Sequence, residues 1–182
     1  MRVWFMFALA IVVGMTATAA AQDEIIEGVD KTAEKTSKKK ELPPVVQALK
    51  KTRFVHGRPN TAAKCYVYLQ SASWCGPCCQ EMPEIVETYK EMKEAGVEII
   101  LCGCDHDKKG VKNYVKKFRI PFPATLADKK LKLPGFIEAK FIPHATFVDP
   151  NGKVLVAGQG SIIMNWQKYV PKDKEEGNSD AE

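Results

Sequence analysis

The fold is decided by residues 65–78, which read Cys65-Tyr66-Val67-Tyr68-Leu69-Gln70-Ser71-Ala72-Ser73-Trp74-Cys75-Gly76-Pro77-Cys78. The apolar run from Cys65 to Leu69 predicts a short buried strand, and the small polar residues after it predict a loop. Beyond Cys78, apolar residues recur every three or four positions as far as Gly96, which is typical of an amphipathic helix and its end. Cys75 and Cys78 therefore stand where a strand passes into a helix.

The same alternation continues through the chain. The predicted segments are, in order, strand 65–69, helix 82–92, strand 97–102, helix 111–118, strand 145–148, strand 154–156 and helix 162–170. An irregular, proline-rich connector occupies residues 121–140, and Asp149-Pro150-Asn151-Gly152 predicts a turn between the last two strands. The order βαβα followed by ββα predicts an α/β fold, with a central mixed β-sheet flanked by helices.

The two ends of the chain differ in composition from this middle part. Arg2, the apolar stretch from Trp4 to Met15 and the small residues up to Ala21 predict a cleaved secretory signal peptide. The predicted organisation is a signal peptide at 1–21, a flexible charged linker at 22–42, one domain at 43–172 and a disordered tail at 173–182. We therefore expect a periplasmic or secreted protein, in a compartment where disulfides persist.

Charge and composition exclude some functions. The chain has 182 residues, of which 45% are hydrophobic and 27% charged, as in an ordinary soluble protein. Its formal net charge of +5 comes mostly from a few lysine clusters such as Lys38-Lys39-Lys40. Such runs are typical of solvated segments, so no nucleic-acid partner is expected.

Cys75 and Cys78 have the spacing of a redox-active pair. The N-terminus of a helix carries unpaired N–H groups and partial positive charge, which favours the thiolate of Cys75, the species that attacks disulfides. Cys78 lies one turn later, within reach to displace the product from a mixed disulfide. Pro77 fits the first helical turn, where its missing N–H costs little, and Gly76 leaves room for a partner chain.

The run Trp74-Cys75-Gly76-Pro77-Cys78 is identical to the thioredoxin active-site motif, and Glu81-Met82-Pro83 resembles the Glu-x-Pro segment after the dithiol of TlpA/ResA-like reductases. Ser71-Ala72-Ser73 and Asp105 also resemble the tryparedoxin/nucleoredoxin branch of the thioredoxin superfamily. The resemblance spans about residues 64–170. It implies a thioredoxin-like fold and a thiol–disulfide oxidoreductase that acts on protein disulfides, with the Cys75–Cys78 disulfide as its redox group and no further cofactor.

The resemblance also implies roles for other residues. Pro143 is expected to be a cis-proline facing the dithiol, and Ile142 before it to offer its backbone to an extended substrate. The substrate-binding residues implied in this way are Trp74, Gly76, Pro77, Ile142 and Pro143. Glu81 matches an acidic residue that shuttles a proton to Cys78; the alternative is a solvated carboxylate that is merely favourable near the helix N-terminus.

The chain departs from thioredoxins near the dithiol. Leu69 stands where thioredoxins carry a buried Asp, which moves proton transfer toward Glu81 or water. Gln70 and Ser71 replace an apolar pair, so this corner is expected to be more polar. His144 follows the expected cis-proline, and its imidazolium would either make the thiol more acidic or point away from it.

Four further cysteines leave alternatives open, namely Cys65, Cys79, Cys102 and Cys104. They are interpreted as small buried hydrophobes, or as a structural disulfide from Cys65 to Cys102 or Cys104. A Cys-x-x-Cys pair is also half of a zinc site, although no second pair accompanies it. Cys102-x-Cys104-x-His106 suggests the alternative function of a thioredoxin-fold protein that binds or delivers copper.

The Gly-Pro dipeptide between the cysteines favours a reductase, because thioredoxin, which shares it, has a potential of about −270 mV. An exported reductase needs electrons from outside the cytoplasm, so a membrane thiol donor is an expected partner. We expect the domain to be a monomer.

Overall fold

The computed structural model describes residues 41–171. The predicted signal peptide at 1–21, the predicted linker up to residue 40 and the predicted tail at 173–182 lie outside the described residues. Within residues 41–171, every helix is too short or too polar to cross a membrane.

Three α-helices, five strands and one 3₁₀ helix follow one another along the described chain. They are α1 Pro44–Lys51, β1 Cys65–Ser71, α2 Gly76–Glu94, β2 Val97–Gly103, α3 Lys108–Phe118, β3 Ala124–Leu126, β4 His144–Val148, β5 Val154–Gln159 and the 3₁₀ helix Gly160–Lys168.

The five strands form one mixed sheet in the order β3-β2-β1-β4-β5. β1 is parallel to β2, and β2 to β3, whereas β4 runs antiparallel to both β1 and β5. Leu69 at the centre of the sheet is registered with Leu101 on one side and Ala145 on the other. This arrangement confirms the predicted fold class.

Helices cover both faces of the sheet, which explains why β1 and β2 are buried at every position. On one face, Val67 and Leu69 pack against α2, α3 and the 3₁₀ helix. On the other face, Tyr66 and Tyr68 pack against α1 and the segment 131–136. β1 is thus paired with a strand on each edge and covered on both faces. Its carboxyl end therefore gives the loop after it a fixed starting point.

Three elements differ from the sequence-based expectation. Helix α1 was not predicted; it has only eight residues and buries Val45, Val46 and Leu49 against the sheet. β3 lies inside the connector that was expected to be irregular, and its three residues are recognisable only through their pairing with β2. The final helix is of the 3₁₀ type and is kinked at Asn165, where the backbone leaves helical geometry.

The helix after β1 begins earlier than its apolar periodicity suggested, at Gly76 directly after Cys75. Cys75 itself is the N-cap and has extended backbone geometry. Helix α3 begins near the same end of the sheet, where the Asp107 carboxylate accepts a hydrogen bond from the Gly110 N–H. The carboxyl ends of β1 and β2 therefore both lead into helix N-termini.

Candidate active site

Cys75 and Cys78 form a disulfide at the first turn of α2, with their Cα atoms 5.2 Å apart. The backbone N–H of Cys78 donates to Cys75 Sγ over 3.3 Å. Cys75 is 7% exposed and Cys78 only 1%. The sulfur that receives the helix N–H is thus also the one that a partner molecule reaches first.

The predicted substrate-binding residues surround this disulfide. Trp74, Gly76 and Pro77 are exposed, and a side-chain carbon at Gly76 would meet nothing within 4 Å. The Ile142–Pro143 peptide bond is cis, and the carbonyl oxygen of Ile142 lies 3.6 Å from Cys75 Sγ. The structure therefore brings all five residues to the dithiol, while their roles in binding a substrate stay predictions.

Glu81 turns inward from the second turn of α2. Its Oε2 is buried and has no hydrogen-bond partner among the residues that the structure describes. Burial, and secondarily the charge of Glu84, raises the pKa of the Glu81 carboxyl. A side-chain carbon at Gly160 would collide with Glu81 Oε2 and approach Pro143 to 2.8 Å, so glycine lets the carboxyl and the cis-proline pack together. This position argues against a fully solvated carboxylate.

Two polar side chains, those of Tyr114 and Asp105, hold the backbone around the dithiol. Tyr114 of α3 donates from its hydroxyl to the Cys78 carbonyl over 3.3 Å and lies 2.8 Å from the Ser71 hydroxyl. The Asp105 carboxylate accepts hydrogen bonds from the backbone N–H (3.2 Å) and the hydroxyl of Ser73. Sequence reasoning counted Tyr114 only as an apolar helix position, and no local signal indicated that its hydroxyl reaches the active-site turn.

The polar corner expected at Gln70 and Ser71 is present, and His144 lies beside it. The Gln70 amide nitrogen donates to the Ile137 carbonyl over 2.7 Å and lies 3.4 Å from His144 Nδ1, and its oxygen accepts from the Ala139 N–H over 3.1 Å. Burial lowers the pKa of His144, so its neutral form prevails near pH 7. The imidazole therefore pairs with Gln70 at the start of β4 and is uncharged near pH 7.

The alternative of a structural disulfide is wrong, because Cys65, Cys79, Cys102 and Cys104 are free thiols, and Cys65 and Cys102 are buried, as the interpretation of small buried hydrophobes predicted. Cys65 is registered with Val97 and Cys102 with Gln70, at opposite ends of β1 and β2. Five residues of strand correspond to roughly 16 Å, far beyond the 7 Å that a disulfide spans. Cys65 and Cys102 also face opposite sides of the sheet. Burial raises the pKa of Cys65 to about 12, so this thiol stays protonated.

The residues of the alternative metal site do not converge. Cys102 is fully buried beneath α1, whereas His106 is exposed beyond the end of β2. Among residues 41–171, no group of three or more His, Cys, Asp or Glu side chains is arranged to hold a metal ion. Cys104 instead packs against the cluster of Ala72, Cys75 and Cys78.

Residues 58–168 match the family model Redoxin. The chain is 40% identical over 83 residues to thiol-disulfide oxidoreductase ResA of Bacillus cereus, a match covering 46% of this chain and 47% of that protein. It is 30% identical over 98 residues to probable nucleoredoxin 1 of Arabidopsis thaliana, covering 53% of this chain and 17% of that protein. The chain thus spans about half the length of the ResA relatives it matches.

Among solved structures, the fold is similar to that of a thiol:disulfide interchange protein from Bacteroides sp.. The TM-score is 0.52 at 21% sequence identity, and the match covers 64% of this chain and 80% of that one. At this identity the likeness concerns the fold alone, and it agrees with the mixed sheet and flanking helices described above.

Two fully buried tyrosines provide a test of the contact beneath the dithiol. We expect Tyr114→Phe to lower the free energy of unfolding by about 1 to 3 kcal/mol, because it leaves the buried Ser71 hydroxyl and Cys78 carbonyl without their partner. Tyr66→Phe should cost less, since the buried Tyr66 hydroxyl makes no well-formed hydrogen bond among the described residues and has only the Ala63 backbone beside it. Urea denaturation of both variants measures the difference, and equal losses would contradict the assigned contact.

Proposed function

Because the chain belongs to the Redoxin family of the thioredoxin superfamily, we propose that it is a thiol–disulfide oxidoreductase that reduces disulfides in proteins. The observation that carries this proposal is the cysteine pair at the start of α2, with the Cys78 N–H directed at Cys75 Sγ over 3.3 Å. The 40% identity to a protein named for this activity supports it.

The proposed reaction is two successive thiol–disulfide exchanges. The Cys75 thiolate attacks one sulfur of the partner disulfide, so the partner S–S bond breaks and its other sulfur leaves as a thiolate. The Cys78 sulfur then attacks Cys75 Sγ in the mixed disulfide and releases the second partner thiol. Two electrons pass from the dithiol to the partner, and the Cys75–Cys78 disulfide remains.

The surroundings of the two cysteines suit this order of events. The helix N–H groups stabilise negative charge on Cys75, the more accessible sulfur, before the attack. Cys78 has to lose its proton while it is buried, and we assign the base to the inward-turned carboxyl of Glu81, three residues further along α2. Tyr114 holds the Cys78 carbonyl, which keeps the second sulfur in register with the first.

The cellular setting is part of the proposal. The composition of residues 1–21 supports export, which would place the reaction in the periplasm or outside the cell. There the oxidised pair has to be reduced again, and a membrane thiol donor is the partner we propose for that step. The Gly76-Pro77 dipeptide, shared with thioredoxin, supports the reductive direction.

The two cysteines are expected to respond differently to substitution. Cys78→Ser should accumulate a mixed disulfide between Cys75 and a disulfide-bearing protein such as insulin, because the releasing sulfur is absent, and Cys75→Ser should form none. Cys65→Ala is the matched control, since Cys65 lies at the far end of β1, and it should retain turnover. Non-reducing mass spectrometry identifies the adducts. Adducts on Cys75→Ser, or none on Cys78→Ser, would contradict the assignment.

The role of Glu81 predicts a pH dependence. Its raised pKa means that it takes up a proton at a higher pH than an ordinary glutamate, so the release step should slow as the pH falls through that pKa. Glu81→Gln should remove this limb from the pH profile between about pH 4 and 8, measured as single-turnover release from a preformed mixed disulfide.

Glu84→Gln is the control for this experiment, because Glu84 is exposed and contributes only its charge. Removing that like charge should shift the limb to lower pH without abolishing it. A pH profile that is the same in wild type and Glu81→Gln would show that Glu81 is not the base.

A further inference from the structure

A cavity of about 880 Å³ lies beside β3, and it shares no residue with the dithiol site. Its walls come from α1 and the two residues after it, the start of α3, the end of β3 and the loop 128–132. Cavities of about 300 to 1,000 Å³ are typical of sites that bind small molecules. This one is therefore large enough for a ligand, and its lining indicates the kind of ligand.

The charged side chains that line the cavity are almost all cationic. Asp128 is the one acidic residue among them, and five are basic, namely Lys51, Arg53, Lys108, Lys130 and Lys132. None of the five cations has an ion-pair partner among residues 41–171. Since like charges that converge without a counter-charge repel one another, an anion in the cavity would be stabilised.

The deeper part of the lining is apolar. Ala48 and Leu131 pack against the core beneath α1, and Leu126, the last residue of β3, packs against the core on the other face of the sheet. These three side chains are half-buried, whereas all the charged residues of the lining are exposed. The cavity thus has an apolar floor and a cationic rim.

Hydrogen bonds hold both walls of the cavity in place. Thr125 of β3 is 3% exposed and donates from its hydroxyl to the Arg53 carbonyl over 3.0 Å. In the loop, the Asp128 carboxylate accepts from the Lys130 N–H over 2.8 Å, and the Asp128 carbonyl accepts from the Leu131 N–H over 2.9 Å. The cavity is therefore formed before a ligand arrives, which reduces the entropy lost on binding.

We propose that this cavity binds an amphiphilic anion, a molecule whose aliphatic or aromatic body carries a phosphate or carboxylate group. The body would cover the apolar floor, and the anionic group would accept charge-assisted hydrogen bonds from the lysines and the arginine of the rim. Binding makes no use of Cys75 or Cys78, so the site adds a function to the proposed redox reaction. A free organic acid and the headgroup of an anionic lipid both have the required chemistry.

Isothermal titration calorimetry with octyl phosphate tests the proposal directly. Inorganic phosphate lacks the apolar body, and octyl glucoside lacks the charge, so each compound tests one half of the ligand. The protein should bind octyl phosphate at least about tenfold more tightly than either of them, because only octyl phosphate engages both the floor and the rim. The amide chemical shifts of Ala48, Leu126 and Leu131, followed by NMR during the titration, should report where the compound binds.

A charge reversal at the rim tests the role of the cations. Lys130→Glu should weaken octyl phosphate binding by roughly tenfold or more, because it removes a cation and places a like charge beside the anionic group. Lys90→Glu is the matched control and should keep the affinity of the wild type. It makes the same change of charge at an exposed position of α2, on the face of the sheet opposite to α1.

Vesicles distinguish the two sources of such an anion. Sedimentation of the protein with vesicles of phosphatidic acid and phosphatidylcholine, but not of phosphatidylcholine alone, would identify a lipid headgroup. Binding of octyl phosphate without sedimentation would identify a free organic acid. Both results support the cavity as an anion site, provided that Lys130→Glu abolishes them.

Three results would overturn the proposal. They are equal affinities for octyl phosphate and inorganic phosphate, equal affinities of Lys130→Glu and Lys90→Glu for octyl phosphate, and chemical-shift changes at Trp74 and Ile142 in place of the cavity. None of them bears on disulfide reduction, so the proposed function would stand.

Discussion

The proposed chemistry depends on one contact, the hydrogen bond from the Cys78 N–H to Cys75 Sγ over 3.3 Å at the first turn of α2. It exists only if the helix begins at the residue after Cys75, and the helix begins there because β1 ends at a fixed place. β1 is the central strand, paired on both edges and covered on both faces, so its carboxyl end has little freedom to move. The fixed end of β1 therefore fixes where α2 begins. The N–H groups at that helix N-terminus can then stabilise negative charge on Cys75.

Polar side chains at that end of the sheet transmit the rigidity to the segments around the sulfur. Ser71 and Tyr114 connect the strand end to the carbonyl of Cys78, Asp105 fixes the turn at Ser73, and Gln70 fixes the loop before the cis-proline. Each makes hydrogen bonds that would be costly to leave unmade in a buried position. The polar corner that distinguishes this chain from thioredoxins therefore positions the backbone and leaves the redox chemistry to the two sulfurs.

Prediction from sequence succeeded where the interactions are local along the chain, and it failed where they join distant residues. β1, α2, β2 and α3 could be predicted because their apolar residues repeat locally, and the dithiol could be recognised from five consecutive residues. β3 could not, since three residues become a strand only beside β2. The hydrogen-bond partners of Tyr114 and Gln70 were missed for the same reason, because they lie 43 and 67 residues away. The alternative of a disulfide from Cys65 to Cys102 or Cys104 was wrong because the parallel register that separates these cysteines cannot be read from spacing alone.

The most direct test of the central claim is the reactivity of Cys75 in the reduced protein. Iodoacetamide alkylation at pH 6, followed residue by residue by mass spectrometry, compares the folded protein with the same protein unfolded in urea. An ordinary thiol is only roughly 0.3% ionised at this pH. If the helix N-terminus holds Cys75 as a thiolate, alkylation in the folded state should be at least about tenfold faster than in the unfolded state. An equal or slower rate in the folded protein would contradict the account.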